Sequence, residues 1–329
     1  MFNEAQLYHR MQHDFPLHAR PYQLAAEAVG LSEHTVLSLL ARDLGNGRIS
    51  RIGAVFAPNT IGASTVAALS VPQIDLERVV DRINGDVNVA QHHARAGHRY
   101  NLWFAAGARD RRGLDDVLAR IAADVGQKPL DLPLEREYRV DTGPLLGGPR
   151  RAPARSAQAL RPPPRPNLDE ADWRLAAALE SGLALTPSPY HVLARRSGLR
   201  LDDVLERLDN WRTSGVIRRF GAILRYRPFG YTHNAMCVWN VPDARVDMIG
   251  QRLAHVQDVT MCYRRPRRLP DWQYNLYAMV HARGAEAFHS TLMQFDAVEG
   301  LSDVPCAVLR ASQCFKQRGT RYGGVMPEF

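Results

Sequence analysis

Residues 89–104 read Val89-Ala90-Gln91-His92-His93-Ala94-Arg95-Ala96-Gly97-His98-Arg99-Tyr100-Asn101-Leu102-Trp103-Phe104, placing three histidines and two arginines ahead of an apolar strand. Histidine gives or takes a proton near neutral pH and can ligate iron. Arginine stays charged and grips carboxylates with paired hydrogen bonds. The stretch therefore suits proton delivery beside an anionic substrate; the plainer reading is a solvated polar loop before a strand. A related stretch, Met261-Cys262-Tyr263-Arg264-Arg265-Pro266-Arg267-Arg268, has arginines and an aromatic where the first has histidines. It leads through Tyr274 to Tyr277, Met279 and His281, which share one strand face at even spacing. Arginines interleaved with aromatics suit a small molecule carrying several carboxylates, although a lone strand histidine is also a common structural residue.

These two stretches are equivalent because the chain contains itself twice. Pro21-Tyr22 returns as Pro189-Tyr190, and Gly47-x-Ile49-x-Arg51-x-Gly53-Ala54 returns as Gly215-x-Ile217-x-Arg219-x-Gly221-Ala222. Val71-Pro72 answers Val241-Pro242, and Tyr100-Asn101-Leu102 answers Tyr274-Asn275-Leu276. The unit is too long for a solenoid repeat. The copies differ most just before Tyr-Asn-Leu, which suggests two related but unequal sites.

Each copy opens with helix, glycine turn and helix, with Ser32 a candidate N-cap in the first. Each continues with strands and helices in the order β-α-β-β-α-β, the ferredoxin-like sandwich. The fold class is α+β, a tandem duplication of a winged or helix-turn-helix domain followed by a ferredoxin-like βαββαβ domain. The expected boundaries are 1–50 and 51–146 for the first copy, 147–166 for a Pro/Arg-rich linker, and 167–218 and 219–329 for the second. Arg51 and Arg219 then stand at equivalent places at the start of each copy's first sandwich strand. They are further candidates for an anion site, against a plain surface role.

The chain has 329 residues, 45% of them apolar, with no apolar run long enough to cross a membrane. No basic start followed by an apolar stretch marks a secretory signal, so a cytoplasmic protein is expected. The four cysteines form no C-x-x-C pair, which argues against a zinc ribbon, an iron–sulfur cluster or a disulfide framework. The net charge of +8 is local. Arg150, Arg151, Arg155, Arg161 and Arg165 lie in the linker; Arg264, Arg265, Arg267 and Arg268 lie in one segment. The second-copy reader helix carries Asp202, Asp203, Glu206 and Asp209, which would repel a phosphate backbone, so DNA binding is disfavoured. No nucleotide-binding or common hydrolase motif occurs.

Taken together, these segments resemble a known family. A helix-turn-helix followed by a ferredoxin-like domain is similar to the Lrp/AsnC regulator architecture, here doubled. Arg51-Ile52-Gly53-Ala54-Val55-Phe56, the His/Arg stretch into Tyr100-Asn101-Leu102-Trp103-Phe104, and Leu132-Pro133-Leu134-Glu135-Arg136-Glu137-Tyr138 resemble the siroheme decarboxylases. So do Arg218-Arg219-Phe220-Gly221-Ala222, Cys262-Tyr263-Arg264-Arg265, Tyr274-Asn275-Leu276-Tyr277-x-Met279-x-His281 and Cys314-Phe315-Lys316-Gln317. The resemblance covers nearly the whole chain except the linker.

It implies an enzyme of heme d1 biosynthesis, two subunits fused, that removes CO2 from two acetate side chains of siroheme to give 12,18-didecarboxysiroheme. No separate cofactor is implied, because the iron belongs to the substrate. The family's histidine-rich segment falls on His92, His93, Arg95 and His98, with the proton donor sought in the order His98, His93, His92. One of those three is also the candidate ligand to the substrate's iron. Arg51, Arg95, Tyr100, Trp103, Arg219, Tyr263, Arg264, Arg265, Tyr274, Tyr277 and His281 are the expected substrate contacts. The resemblance puts Met261 where some relatives would have histidine. One productive site is therefore expected, built mainly by the first copy and completed by the second across a pseudo-twofold interface. Siroheme, its product and other heme d1 enzymes are the implied partners, and the apolar faces of such sandwiches suggest a homodimer. The rival readings are an Lrp/AsnC-type DNA-binding regulator and a heme sensor or carrier without turnover.

Overall fold

The structure is a computed structural model that describes residues 4–140, 143 and 166–322. All of the expected linker except Pro166 lies outside the described residues. The first copy runs α1 (Glu4–His13), α2 (Pro21–Glu27), α3 (Glu33–Gly45), β1 (Ile49–Phe56), β2 (Ala63–Leu69), α4 (Leu76–Gly85), β3 (Val89–Ala96), β4 (Leu102–Ala108), α5 (Arg111–Val125), β5 (Leu130–Pro133) and β6 (Arg136–Val140). The second runs α6 (Glu170–Glu180), α7 (Pro189–Ser197), α8 (Leu201–Thr213), β7 (Ile217–Leu224), β8 (His233–Trp239), α9 (Val246–Leu253), β9 (Val259–Arg264), β10 (Leu276–Ala282), α10 (Ala285–Asp296) and β11 (Cys306–Gln317).

Local chemistry accounts for the helix ends. Ser32 caps α3 by accepting from the Thr35 N–H, and Asp169 with Asp172 forms a reciprocal capping box on α6. The helices of both copies bury one common core, in which Tyr8, Met11, Tyr22 and Leu40 meet Leu175, Tyr190, Leu208 and Trp211. Arg207 on α8 is tied back to Asp169 and Asp172 of α6.

β1 and β7 were expected to open the two sandwiches. Instead they pair with each other as an antiparallel ribbon. The reason is apolar: Ile49, Ile52 and Ala54 of β1, with Phe220, Ala222 and Leu224 of β7, face the helical core. The sandwiches therefore begin at Ala63 and His233, later than the expected boundaries at 51 and 219.

The remaining nine strands form one sheet in the order β5-β2-β4-β3-β11-β8-β10-β9-β6. Each ferredoxin-like unit lends its last strand to the other: the end of β11 pairs with β3, and β6 pairs with β9. Because β5 and β6 are neighbours in the chain yet stand at opposite ends of that order, the sheet curls back on itself. Its two halves face one another across a shared interior, where Ala68, Trp103 and Leu132 of the first copy pack with Met236, Val238 and Tyr277 of the second. Apolar inner faces of the two copies thus meet within one chain. Helices α4 and α5 cover the outer face of one half, α9 and α10 that of the other.

The repeated Tyr-Asn-Leu and Val-Pro pairs explain each other. Asn101 accepts from the Val71 N–H at 2.9 Å and donates to the Val71 carbonyl at 2.8 Å. Asn275 does the same to Val241, at 2.9 Å in both bonds. A buried backbone pair left unmet costs about 1–3 kcal/mol per group, which ties the two motifs together.

Candidate active site

The His/Arg stretch, expected to be a loop, is mostly strand β3, and Cys262-Tyr263-Arg264 lies in strand β9. Alternation along a strand then sorts neighbouring residues onto opposite faces. His92 turns outward under the helices, where Nδ1 sits 2.9 Å from Asn84 Oδ1 and the ring packs against Phe104 and Phe315. His93 turns toward the shared interior, and no hydrogen bond to its side chain is formed among the described residues. Arg95, on the same face, donates to the Leu309 carbonyl of the second copy.

Across from them, the second copy supplies His281 from β10. Its Nδ1 lies 2.8 Å from Thr260 Oγ1, which itself donates to the Met279 carbonyl, so Nδ1 carries the proton. Nε2 accepts from Asn234 at 2.6 Å. Tyr226, from the loop after β7, stacks on the imidazole at 3.9 Å. Burial, reinforced by Arg95 and His93, pushes His281 down to about 3. Burial and then Arg95 push His93 down to about 4. Both rings are neutral at pH 7 in the unliganded protein.

Arg219, on β7, lies next to Tyr226. Its three guanidinium nitrogens are sealed from solvent and have no hydrogen-bond partner among the described residues. Burial lowers it to about 10, with Tyr226 opposing that shift and Arg51 adding to it. An unpaired buried guanidinium is costly. A carboxylate is the group that would satisfy it, with two parallel bonds.

Register defines the counterpart site. His93 stands opposite Trp103, and Tyr263 stands opposite Tyr277, so Tyr263 occupies the His93 position. Met261, opposite Met279, answers Gln91 and not a histidine. Gly107 answers His281 and Ser64 answers Asn234. Arg265 answers Arg95 and donates to the Leu132 carbonyl at 2.6 Å. Here the similarity ends. Glu137 ion-pairs with Arg218. Arg51 is engaged with the Ala54 carbonyl at 3.2 Å. Thr320 lies so close to Gly107 that an added Cβ would collide with it. Burial raises the Tyr263 phenol well above its usual range, so it is a poor acid. The second half of β11 runs alongside β3, and the segment beyond it packs Tyr322 into the helical core.

Several expected contacts lie elsewhere. Tyr100, Trp103, Tyr274 and Tyr277 are core, buried together around Trp272. Trp103 Nε1 donates to the Tyr100 carbonyl at 2.7 Å, and Trp272 Nε1 to Tyr277 Oη at 2.6 Å. His98 sits in the β3–β4 hairpin, stacked on Tyr100 with its edge on Trp272, and its Nδ1 accepts from the Tyr100 N–H. Arg264 pairs with Glu135, Arg267 with Asp243, and Arg268 approaches Asp131. Only Arg265 of that cluster turns inward, because its neighbours have acidic partners outside. The sequence reading missed Tyr226, Asn234 and Thr260. Their signal, polar or aromatic residues placed around a strand histidine, needs the strand pairing to be seen. Among the described residues, no group of three His, Cys, Asp or Glu is placed to hold a metal ion.

The buried histidines make stability depend on pH. His92, pushed to about 3 by burial and then by His93 and Lys316, joins His93 and His281 below the ordinary 6.5. The unfolded chain therefore binds protons first on acidification, so their stabilisation is present above pH 6.5 and lost as pH falls toward 4. The expected result is a melting temperature that declines steadily from about pH 6.5 to 4. A flat profile there would show that these rings titrate normally.

Comparison with known proteins agrees with this layout. The sequence profile of the AsnC-like ligand binding domain matches residues 61–139 and 228–316. That of the siroheme decarboxylase NirDL-like HTH domain matches 4–49 and 172–218. Both pairs fall on the two copies, with the sandwich starting after the β1–β7 ribbon. The siroheme decarboxylase NirDL subunit of Paracoccus pantotrophus is 39% identical over 94% of this chain and 93% of its own length. The siroheme decarboxylase NirD subunit of Stutzerimonas stutzeri is 47% identical over 43% of this chain and 91% of its own. The crystal structure of the siroheme decarboxylase NirDL matches with a TM-score of 0.69 at 25% identity, covering 97% of this chain and 94% of that one.

Proposed function

The chain belongs to the siroheme decarboxylase family, and on that premise we propose that it removes CO2 from two acetate side chains of siroheme at one site, lined by His93, Arg95, Arg219 and the Tyr226–His281 stack. The sealed guanidinium of Arg219, without a hydrogen-bond partner among the described residues and next to the Tyr226 ring that stacks on His281, is the observation that carries this reading. A substrate rimmed with carboxylates supplies the missing partner.

The chemistry follows from the charges. As the acetate C–C bond breaks, its electron pair stays on the methylene carbon, and CO2 departs. An acid must then deliver a proton to that carbon. His93 is the candidate, because its ring is uncommitted, whereas both nitrogens of His281 are held by protein partners. Free His93 is neutral, so it must gain a proton before it can act. Bound carboxylates beside it favour the imidazolium, which makes substrate binding recruit the catalytic proton. Arg95 and Arg219 hold other carboxylates and fix the ring position. The iron arrives with the substrate.

The counterpart site, with Tyr263 for His93 and the Glu137 carboxylate beside it, is unsuited to the same step. No helix among the described residues is long and apolar enough to cross a membrane, and a cytoplasmic site of action fits the reading. Anaerobic incubation with siroheme followed by mass spectrometry tests the function. Successive loss of two CO2 is expected. Intact siroheme under a shifted Soret band would make the chain a carrier or sensor.

A further inference from the structure

We propose that Tyr226 is a substrate-positioning residue, its ring supporting one face of the bound macrocycle, and that His281 acts on substrate only through Tyr226. The proposal rests on the reading of His93, Arg95, Arg219 and the Tyr226–His281 stack as the tetrapyrrole site.

Three observations lead here. His281 is fixed on three sides. Nδ1 is bonded to Thr260 at 2.8 Å, Nε2 accepts from Asn234 at 2.6 Å, and Tyr226 covers the ring at 3.9 Å with an interplanar angle of 16°. With both nitrogens taken, this imidazole has no donor left for a carboxylate, and the residue is only 5% exposed. Tyr226, by contrast, is half-buried. The phenol is also braced at its edge by Tyr231, 5.5 Å away at 87°, and Tyr231 in turn carries the Arg283 guanidinium at 4.9 Å. Tyr226 thus stacks on the buried imidazole and is also close enough to Arg219 to influence its electrostatics.

A flat ring backed by an immobilised second ring loses little freedom when a third aromatic surface settles on it. Offset stacking of this kind is worth enough to change affinity roughly ten-fold. The groups facing His281 are His93 and Arg95 from β3, Thr260 from β9, Asn234 from β8 and Tyr226. Because the imidazole stays neutral through the working range, its support of Tyr226 should not vary between pH 6 and 8.

The test is a double-mutant cycle at pH 7, reading siroheme affinity from the Soret band and single-turnover rate separately. Tyr226→Leu is expected to weaken binding roughly ten-fold, and Tyr226→Phe, which keeps the ring, to restore most of it. His281→Asn should weaken binding comparably, and the double variant should be no worse than Tyr226→Leu alone. Additive losses would show that His281 touches substrate itself and overturn the proposal. Unchanged binding by Tyr226→Leu, with normal binding by the wild type, would overturn it alone. A wild-type chain that binds no siroheme would remove the tetrapyrrole reading and the proposal together.

Discussion

His93→Gln is expected to slow siroheme decarboxylation by about 10²–10⁴-fold, the usual contribution of a positioned general acid, while siroheme still binds within a few-fold of the wild type. Glutamine keeps the volume and polarity of the side chain but cannot supply the proton. The contrast lies with the neighbouring histidines. His92 is packed under the helices with Asn84, and His98 is held in the hairpin by Tyr100 and Trp272. Their Gln variants should keep most single-turnover activity. An anaerobic single-turnover series over the three variants decides the matter. A larger loss at His98 than at His93 would move the chemistry out of the shared interior to the hairpin end.

Arg219→Leu should act in opposite directions on binding and on stability. A charge-assisted pair to a carboxylate contributes about 1.5–3 kcal/mol, so siroheme affinity should fall by roughly 10–150-fold. In the unliganded protein the same guanidinium is buried without a hydrogen-bond partner among the described residues. Removing it should therefore leave the melting temperature unchanged or raise it. Parallel titration and thermal unfolding read both. Lower stability with unaltered affinity would identify Arg219 as a structural arginine. Such opposed effects are the signature of a residue kept for ligand and not for fold.

The duplication, the fold class and the two-copy organisation were legible because they rest on repeated local residues. Asn101 with Val71, and Asn275 with Val241, are a backbone clamp that both copies need, which is why those motifs recur so plainly. The repeated residues are mostly scaffold. The proposed site lies where the copies differ, at His93 against Tyr263 and His281 against Gly107. The sequence could point to that region but not choose within it. His92 and His93 are adjacent in the chain and face opposite ways, and reading the stretch as a loop hid that alternation. The pairing of β3 with β11 joins residues more than two hundred positions apart. No local pattern reveals that His93 and His281 share a space. The aromatics of the Tyr-Asn-Leu strands looked like a surface for a macrocycle, yet their spacing equally suits a core, and the packing around Trp272 makes them one.

The most direct measurement is anaerobic turnover of siroheme in deuterated water, with the extracted product resolved by mass spectrometry. Protonation of each methylene carbon by an exchangeable acid such as His93 predicts a product that has lost two CO2 and carries one deuteron in each new methyl group. A product without solvent deuterium, or siroheme recovered intact, would contradict the account.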